Sequence, residues 1–375
     1  MKCLPHDLAR SGLAHLFRLT PEYSPGALRA PSLANRKLIV LEFRKINHIK
    51  GVMRILDEGK SAHLKVDPDG YRDWIRENKP HQMASKLMDE HEAISKFVSD
   101  GDYLAYDCNY FQRGPASLIR ELIRQKKRNL WICGKFTYVA CALLVESGCA
   151  DRIDIGFIGF GPWIARAVRE NRLTIYEYSN AILTLRLKAG AMGLPFLPAR
   201  SFGGTDGFQH SGCKLVEDPF SHKPIILCPA LNPDVSIIHV HQADEFGNAR
   251  VFGTGISHQE CALASKRVII SAEEIVDTDE IRRDPGRTSI PHFAVDAVVH
   301  APYGAYPGIV QGYYASDPAG VVEAMGAMFR GDFRDYLRKH VYSVASHEEY
   351  LEKVVGAKKL IEIGRRETIR EGYSA

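Results

Sequence analysis

The chain has 375 residues, is 45% hydrophobic and carries a net charge of +4 at pH 7, so it holds enough apolar material for a large core in one or two domains. So small a net charge argues against a dedicated nucleic-acid binder, and the sequence lacks the run of about 18 apolar residues that predicts a transmembrane helix. We therefore expect neither nucleic acid nor membrane among its partners, and a cytoplasmic location.

Eight cysteines are scattered along the chain without any Cys-x-x-Cys pair. Cys133, Cys141 and Cys149 are evenly spaced but too far apart for a zinc knuckle. This distribution is typical of buried free thiols in a reducing compartment, and we expect no metal site.

Residues 1–85 form the first predicted region, a basic N-terminal extension of unknown role. Residues 1–60 hold 11 Lys and Arg against 5 Asp and Glu, whereas the rest of the chain holds 38 against 40. The N-terminal part of this region contains arginines but lacks the apolar core of a signal peptide. Both a transit peptide and a misplaced start codon stay open, with Met53 and Met83 as alternative starts.

Residues 86–340 form the second predicted region, where helical and extended patterns alternate. Helices are predicted at 87–98 and in PASLIRELIRQ and YVACALLVESG, and strands in DYLAYD, NLWICGKF and RIDIGFIGF. From residue 224 the sequence is richer in predicted strands, which are PIILCPAL, DVSIIHVHQAD, NARVFG and FAVDAVVHAP. A hairpin turn is predicted at 245–248, and AEEIVDTDEIRR has a helix-like pattern. The alternation favours an α/β fold with a mainly parallel sheet. Residues 341–375 are predicted to be a charged amphipathic helix.

The glycines at 156, 159 and 161, in GFIGFGP, invite comparison with a dinucleotide-binding loop. Their spacing is Gly-x-x-Gly-x-Gly, whereas the dinucleotide loop needs Gly-x-Gly-x-x-Gly, and no acidic residue is clearly placed for a ribose. We therefore predict a tight strand-to-helix turn.

His239 and His241 lie two residues apart on a predicted strand and so face the same way. Two imidazoles could bind a metal ion, but no third ligand is evident nearby. Packing or hydrogen bonding to a neighbouring strand is the favoured interpretation.

The segment TIYEYSNAILTLRLKAGAMGLPFLPARS, residues 174–201, places Glu177, Ser179 and Asn180 at the start of an otherwise apolar helix. Ser179 or Asn180 could cap the helix, and Gly193 would end it. The residues expected on one apolar face are Ile182, Leu185, Ala189 and Met192. A cap explains only one of the three polar residues.

Four segments together resemble the A (alpha) subunit of family I CoA-transferases, nearest the glutaconate CoA-transferase type. They are DGDYLAYDCNYFQRGPASLIRELIRQ, FGPWIARAVRENRLTIYEYSNAILTLRLKAGAMGLPFLPARS, FGGTD and PDVSIIHVHQADEFGNA. The resemblance spans residues 88–329 and implies an open mixed, mainly parallel sheet flanked by helices. The chain departs from the family at one loop, where Asp107, Cys108 and Asn109 stand in place of Gly-Gly-Phe.

The resemblance also implies an activity. Such enzymes move CoA between carboxylic acids through a covalent glutamyl-CoA intermediate, and in two-chain members that glutamate belongs to the B (beta) subunit. The chain lacks the context of that glutamate, so we expect it to need a beta subunit, in a heterotetramer or a larger complex. A CoA thioester and a carboxylic acid are the expected substrates, with no permanently bound cofactor.

In the family, the residue matching Asn180 lies at the subunit junction and faces the thioester. Transferases place an amide there, which can donate to a developing oxyanion, whereas related steroid-ring hydrolases place a glutamate that acts as a base. Asn180 therefore favours transfer, and Ser179 is left as the helix cap. Further residues expected to line the substrate pocket are Asn109, Arg113, Glu177, Gly203 and Gly204. Glu177 could instead be a first-turn acid that the helix dipole favours.

Two other functions stay open from sequence alone. The altered loop at 107–109 keeps a steroid-ring-cleaving CoA-thioester hydrolase of the same fold possible. A non-catalytic scaffold that has lost its partner is the other alternative.

Overall fold

The computed structural model describes residues 53–80, 82–135, 138–157, 161–253 and 255–367. The strands are β1 (Ile55–Glu58), β2 (Tyr103–Tyr106), β3 (Leu130–Gly134), β4 (Ala150–Ile155), β5 (Thr174–Glu177), β6 (Phe196–Ala199), β7 (Lys214–Glu217), β8 (Pro224–Pro229), β9 (Val235–Ala243), β10 (Ala249–Arg250), β11 (Arg267–Ile275) and β12 (Ala297–His300).

The α-helices are α1 (Pro68–Asn78), α2 (Glu90–Phe97), α3 (Ala116–Arg124), α4 (Val139–Glu146), α5 (Trp163–Arg169), α6 (Asn180–Ala191), α7 (Asp206–Gln209), α8 (His258–Ala264), α9 (Thr278–Arg283), α10 (Pro318–Arg330), α11 (Arg334–Leu337), α12 (His347–Tyr350) and α13 (Ala357–Arg366). Short 3₁₀ turns occur at Pro285–Arg287 and His292–Ala294, and π-helical turns at Arg338–Tyr342 and Leu351–Val355. None of the helices in these ranges has the length and hydropathy needed to cross a bilayer.

The main sheet has the order β12-β11-β9-β2-β3-β4-β5, and β10 pairs with β9 at its side. Every pair along the main order is parallel, whereas β10 is antiparallel to β9. The predicted open, mainly parallel sheet flanked by helices is confirmed. The chain proceeds from β2 to β5 on one side and from β9 to β12 on the other. The order therefore reverses between β2 and β9, and in open α/β sheets ligands bind outside the carboxyl ends of the strands at such a point.

The two faces of the sheet carry separate apolar clusters because side chains alternate along each strand. Leu104 and Tyr106 of β2 join the cluster under α2 to α5 and α10. Tyr103 and Ala105 join the cluster on the opposite face, which includes α6 and α8. Those two helices also pack against each other.

A second, antiparallel sheet has the order β1-β7-β8-β6. Its strand β1 comes from the region predicted to be an extension, as does α1, whose Tyr71 hydroxyl donates to the Leu263 carbonyl at 2.7 Å. Residues from Met53 onward belong to one compact unit. Residues 1–52 lie outside the described residues, so the role predicted for them stays a prediction.

Two local predictions need correction. The helix-like AEEIVDTDEIRR segment begins as strand, because 272–275 continue β11 and pair with β9, and only 278–283 are helical. The tail from residue 341 is not one helix in its described part, since it breaks at 343–346 and again at Gly356, where φ is +82°. The seven described cysteines are buried and none of them forms a disulfide, as predicted; Cys3 lies outside those residues.

Candidate active site

The carboxyl ends of the central strands bring several of the predicted residues to one edge of the sheet. Gly156 follows β4, and its N–H donates to the Gly134 carbonyl of β3 at 3.3 Å. A Cβ on Gly156 would lie 2.1 Å from Oδ1 of Asn180, so only glycine fits here. The first residue of the predicted glycine turn is therefore packed against the start of α6. Residues 158–160 of that turn lie outside the described residues.

The start of α6 is capped by Ser179, whose Oγ accepts the Ile182 N–H at 3.1 Å, which confirms the predicted cap. Gly193, with a φ of +66°, follows the end of the helix as predicted. The expected apolar face is right for Ile182 and Ala189, which are buried, but wrong for Met192, which is 58% exposed.

Asn180 is the first residue of α6, and its side chain is not used for capping. Its Oδ1 is buried against Gly156 without a hydrogen-bond partner in the described part of the chain. The Asn180 amide therefore lies at the positive end of a 12-residue helix, with its oxygen unpartnered.

Glu177 and the two glycines predicted for the pocket differ in what they face. Glu177 ends β5, and its carboxylate faces α7, since a Cβ on Gly207 would lie 3.5 Å from Glu177 Oε2. Gly203 faces Ile226 of β8. Gly204 has a φ of +78° and faces open space.

The loop after β2 is held by a buried ion pair between Arg113 and Asp107. The Arg113 guanidinium also donates to the His239 carbonyl and, at 3.2 Å, to Cys108 Sγ. The Ser257 N–H donates to Asp107 Oδ1 at 2.9 Å. Burial alone would raise the pKa of Asp107, but Arg113 and then Lys135 hold that pKa well below its usual value. Arg113, only 1% exposed, therefore fixes the loop from within and offers no open surface to a substrate.

Asn109 is likewise occupied inside this loop. Its Oδ1 accepts the Phe111 N–H at 2.9 Å, and its Nδ2 donates to Gln112 Oε1 at 3.0 Å. Cys108 adopts a left-handed conformation, with a φ of +64°. The side chains of Asn109 and Arg113 thus hold the loop after β2 in place.

The two strand histidines form hydrogen bonds, as predicted. The Nδ1 of His239 lies 2.9 Å from Ser271 Oγ, and its Nε2 lies 2.6 Å from Glu273 Oε1, both on the neighbouring strand β11. His241 Nε2 lies 3.1 Å from the Gln311 carbonyl oxygen. Within the described ranges, no group of three or more His, Cys, Asp or Glu side chains is arranged to hold a metal ion.

Lys135 was not singled out by the sequence. It directly follows β3, its side chain is 2% exposed, and its Nζ lies 3.9 Å from Asp107 Oδ1. No described residue accepts a hydrogen bond from this ammonium group. The one sequence signal is a lysine at the end of the apolar run LWICG, at the edge of the sheet where ligands bind.

Comparison with known proteins gives a consistent set of relatives. The family model described as coenzyme A transferase matches residues 87–301. The A subunit of glutaconate CoA-transferase from Acidaminococcus fermentans is 30% identical, over 74% of this chain and 94% of that protein. The A subunit of 3-oxoadipate CoA-transferase from Pseudomonas knackmussii is 32% identical, over 62% of this chain and 85% of that protein.

The same relationship is found among solved structures. The crystal structure of glutaconate coenzyme A-transferase from Acidaminococcus fermentans matches with a TM-score of 0.69 at 30% identity, over 74% of this chain and 95% of the other. More distant activities occur on related chains. The cholesterol ring-cleaving hydrolase IpdA subunit of Rhodococcus jostii is 30% identical, over 55% of this chain and 75% of that protein.

Proposed function

Because the chain belongs to the coenzyme A transferase family, we propose that it is the alpha subunit of a heteromeric acyl-CoA:carboxylate CoA-transferase. Its similarity to the A subunits of the glutaconate and 3-oxoadipate enzymes supports a partner of the beta-subunit type, in a heterotetramer or a larger complex. Its substrates would be a coenzyme A thioester and a carboxylic acid.

The reaction would proceed by covalent catalysis on the partner. A beta-subunit glutamate attacks the thioester carbonyl, which forms a mixed anhydride and releases CoA as its thiolate. The thiolate then attacks the glutamyl carbonyl, which gives glutamyl-CoA and frees the first acid. The second acid reverses both steps and leaves as the new thioester. Each attack creates a negatively charged oxygen that needs a hydrogen-bond donor.

The position of the Asn180 side chain is the main structural support for the proposal. Its amide lies at the positive end of α6, and its Oδ1 is packed against Gly156 without a hydrogen-bond partner among the described residues. One such donor is typically worth about 2.7–4 kcal/mol to the transition state. An amide cannot accept a proton as a base, which favours transfer between acids over attack by water.

A hydrolase is the second candidate, and the similarity to the IpdA subunit supports it. So does the loop after β2, where buried side chains occupy the place of glycines that would leave backbone amides open to the substrate. A transferase needs a second acid to turn over, whereas a hydrolase consumes the thioester with water alone.

The test is co-expression of this chain with the beta-subunit homologue of the same organism, followed by a screen of acyl-CoA and acid pairs. We expect acid-dependent CoA exchange by the complex and no exchange by the chain alone. After treatment with hydroxylamine or borohydride, mass analysis should locate the modified glutamate on the beta subunit. Exchange by the isolated chain, or a label on it, would contradict the assignment. Thioester loss that needs no acid would establish the hydrolase instead.

A further inference from the structure

Two buried cysteines, Cys213 and Cys228, face each other across neighbouring strands of the small antiparallel sheet. Lys214 of β7 pairs with Leu227 of β8, so one step further along the same register Cys213 lies opposite Cys228. Both side chains belong to the apolar cluster that includes α6, and the two thiols are hydrogen bonded to each other. Directly opposite residues on one face are the closest cross-strand neighbours in a sheet.

The backbone places this pair where a disulfide fits. In an antiparallel sheet a residue directs its N–H and its C=O to the same neighbouring strand. The Cys213 carbonyl accepts the Gly59 N–H at 2.9 Å, on the side of β1, so Cys213 and Cys228 form a non-hydrogen-bonded pair. The Cα atoms of such a pair lie about 4.5 Å apart, within the range of about 4.4–6.8 Å that a disulfide spans. A bridge therefore needs little movement of either strand.

The two thiols differ in acidity. The hydrogen bond from Cys228 lowers the pKa of Cys213 although burial alone would raise it, and Ser211 and the charge of Arg186 lower it further. The same hydrogen bond, and then burial, raise the pKa of Cys228. The thiolate is the reactive form of a cysteine, so Cys213 is the sulfur that attacks first.

The pair lies next to the place where an exposed loop contacts this sheet. A Cβ on Gly203 would lie 3.1 Å from Ile226 Cδ1 and 3.6 Å from Leu215 Cδ1. Leu215 and Ile226 are opposite each other and are the next pair on the face that carries the thiols, because side chains alternate along a strand. Residues 203–206 are exposed. A loop with so few buried contacts opens locally at low free energy, which gives a small oxidant access to the thiols.

We propose that Cys213 and Cys228 are a redox modification site that forms a reversible disulfide with hydrogen peroxide as the oxidant. The bridge joins β7 to β8 beside the contact of Gly203. This inference does not depend on the proposed function.

The reaction takes two steps. The Cys213 thiolate attacks one peroxide oxygen, which breaks the O–O bond and gives a sulfenic acid and hydroxide. The hydroxide takes up the proton that Cys213 lost and becomes water. The Cys228 sulfur then attacks the sulfenic sulfur, so the S–S bond forms, the S–O bond breaks, and the Cys228 proton leaves with that oxygen as a second water. Two thiols are oxidised, one peroxide is reduced, and a thiol such as glutathione reverses the bridge by exchange.

The experiment treats the full-length protein with hydrogen peroxide, alkylates the remaining thiols before unfolding, and maps the peptides by mass spectrometry. Two peptides joined through Cys213 and Cys228 are expected, and dithiothreitol should separate them. The oxidised protein should unfold at a Tm higher by about 5 °C, because the bridge restricts the unfolded chain. Dithiothreitol should reverse that shift.

Single variants test the order of attack. Cys228→Ala should stop at the sulfenic acid of Cys213, which dimedone traps. Cys213→Ala should leave Cys228 reacting with peroxide at least about 10-fold more slowly than Cys213 does in wild type. Equal reaction rates at the two cysteines would overturn the assigned order.

The matched control is Cys149→Ala, which removes a thiol buried in the other apolar cluster of the main sheet. It should keep both the bridge and the rise in Tm. Full alkylation of Cys213 and Cys228 after peroxide, a bridge to a different cysteine, or oxidation to sulfinic acid without a bridge would each overturn the inference. The mapping is made on wild type, so the result stands even where a variant fails to fold.

Discussion

Two groups of polar side chains share the carboxyl edge of the sheet, and they differ in how far they are satisfied. Around Arg113, every contact of the guanidinium is made with the protein itself, to Asp107, Cys108 and the His239 carbonyl. Around Lys135 and Asn180, buried polar atoms have no partner in the described chain. Arg113 and Lys135 are both cations and are 1% and 2% exposed. Arg113 and Lys135 therefore differ in how far their hydrogen-bonding capacity is used, rather than in burial or charge.

The largest effect is expected when Arg113 is replaced. Removal of one partner from a buried ion pair leaves the other charge uncompensated, so Arg113→Ala should lower the free energy of unfolding by about 3–5 kcal/mol. Urea denaturation measures the loss. As a control, Arg334→Ala removes an exposed arginine and should leave the midpoint unchanged. An Arg113→Ala protein as stable as wild type would show that the loop does not depend on this pair.

At Asn180 the expected loss is in turnover rather than stability. Asn180→Ala should lower kcat of the reconstituted complex by about 10²–10³, with a smaller effect on acyl-CoA binding. Asn180→Asp should be as stable as wild type but equally slow, because its charge repels the oxyanion. The neighbouring cap is the matched control, since Ser179→Ala should cost about 1 kcal/mol of stability and leave kcat nearly intact. Full activity of the Asn180→Asp enzyme would show that the Asn180 side chain has only a structural role.

A smaller effect is expected in the pH dependence of the unfolding free energy, through His241 near Arg113. Burial, and then the charge of Arg113, lower the pKa of His241 to about 3. Because the folded pKa lies below the unfolded value of about 6.5, His241 contributes stability above pH 6.5 that is lost as the pH falls toward 3. The loss is at most about 1.4 kcal/mol per pH unit.

His241→Gln should therefore flatten the decline in unfolding free energy between pH 7 and pH 5, as followed by urea denaturation. His347, whose pKa burial also lowers to about 3, still titrates in the variant and keeps part of the slope. Parallel pH curves for variant and wild type would show that His241 is not buried in its neutral form.

The smallest effect is expected for residues 1–52, which lie outside the compact unit that begins at Met53. A protein that starts at Met53 should assemble with the beta chain and turn over like the full-length protein. Size-exclusion chromatography and the CoA-exchange assay measure both. Failure to assemble would assign these residues a part in the complex.

The sequence predicted the features that depend on local patterns. The Ser179 cap, the glycine at 193 and the alternation of strands and helices each follow from residues close together in the chain. The helix prediction was wrong for 272–275. The local pattern of this segment fits a helix, but its pairing with the distant strand β9 makes it extended. Tertiary pairing overrode the local pattern there.

The contrast between Lys135 and Arg113 could not be read from sequence for the same reason. Both are cations that follow an apolar strand, and only the folded structure shows that Arg113 pairs with Asp107 while Lys135 lies 3.9 Å from it. The Ser257 N–H that occupies one Asp107 oxygen comes from 150 positions along the chain. Nor does a family motif show that Asn109 turns its side chain into its own loop.

The short strand β1 also has a consequence for how the protein can be produced. Met53 precedes Ile55 by two positions, so a chain that starts there retains β1, with its acidic Asp57 and Glu58, as the border of the antiparallel sheet. A chain that starts at Met83 loses that border and leaves one side of β7 with unpaired N–H and C=O groups. Such an open strand pairs readily with other copies, whereas charged edge strands discourage it. A protein that starts at Met53 therefore keeps the charged edge strand β1, whereas one that starts at Met83 exposes β7 and is prone to aggregate.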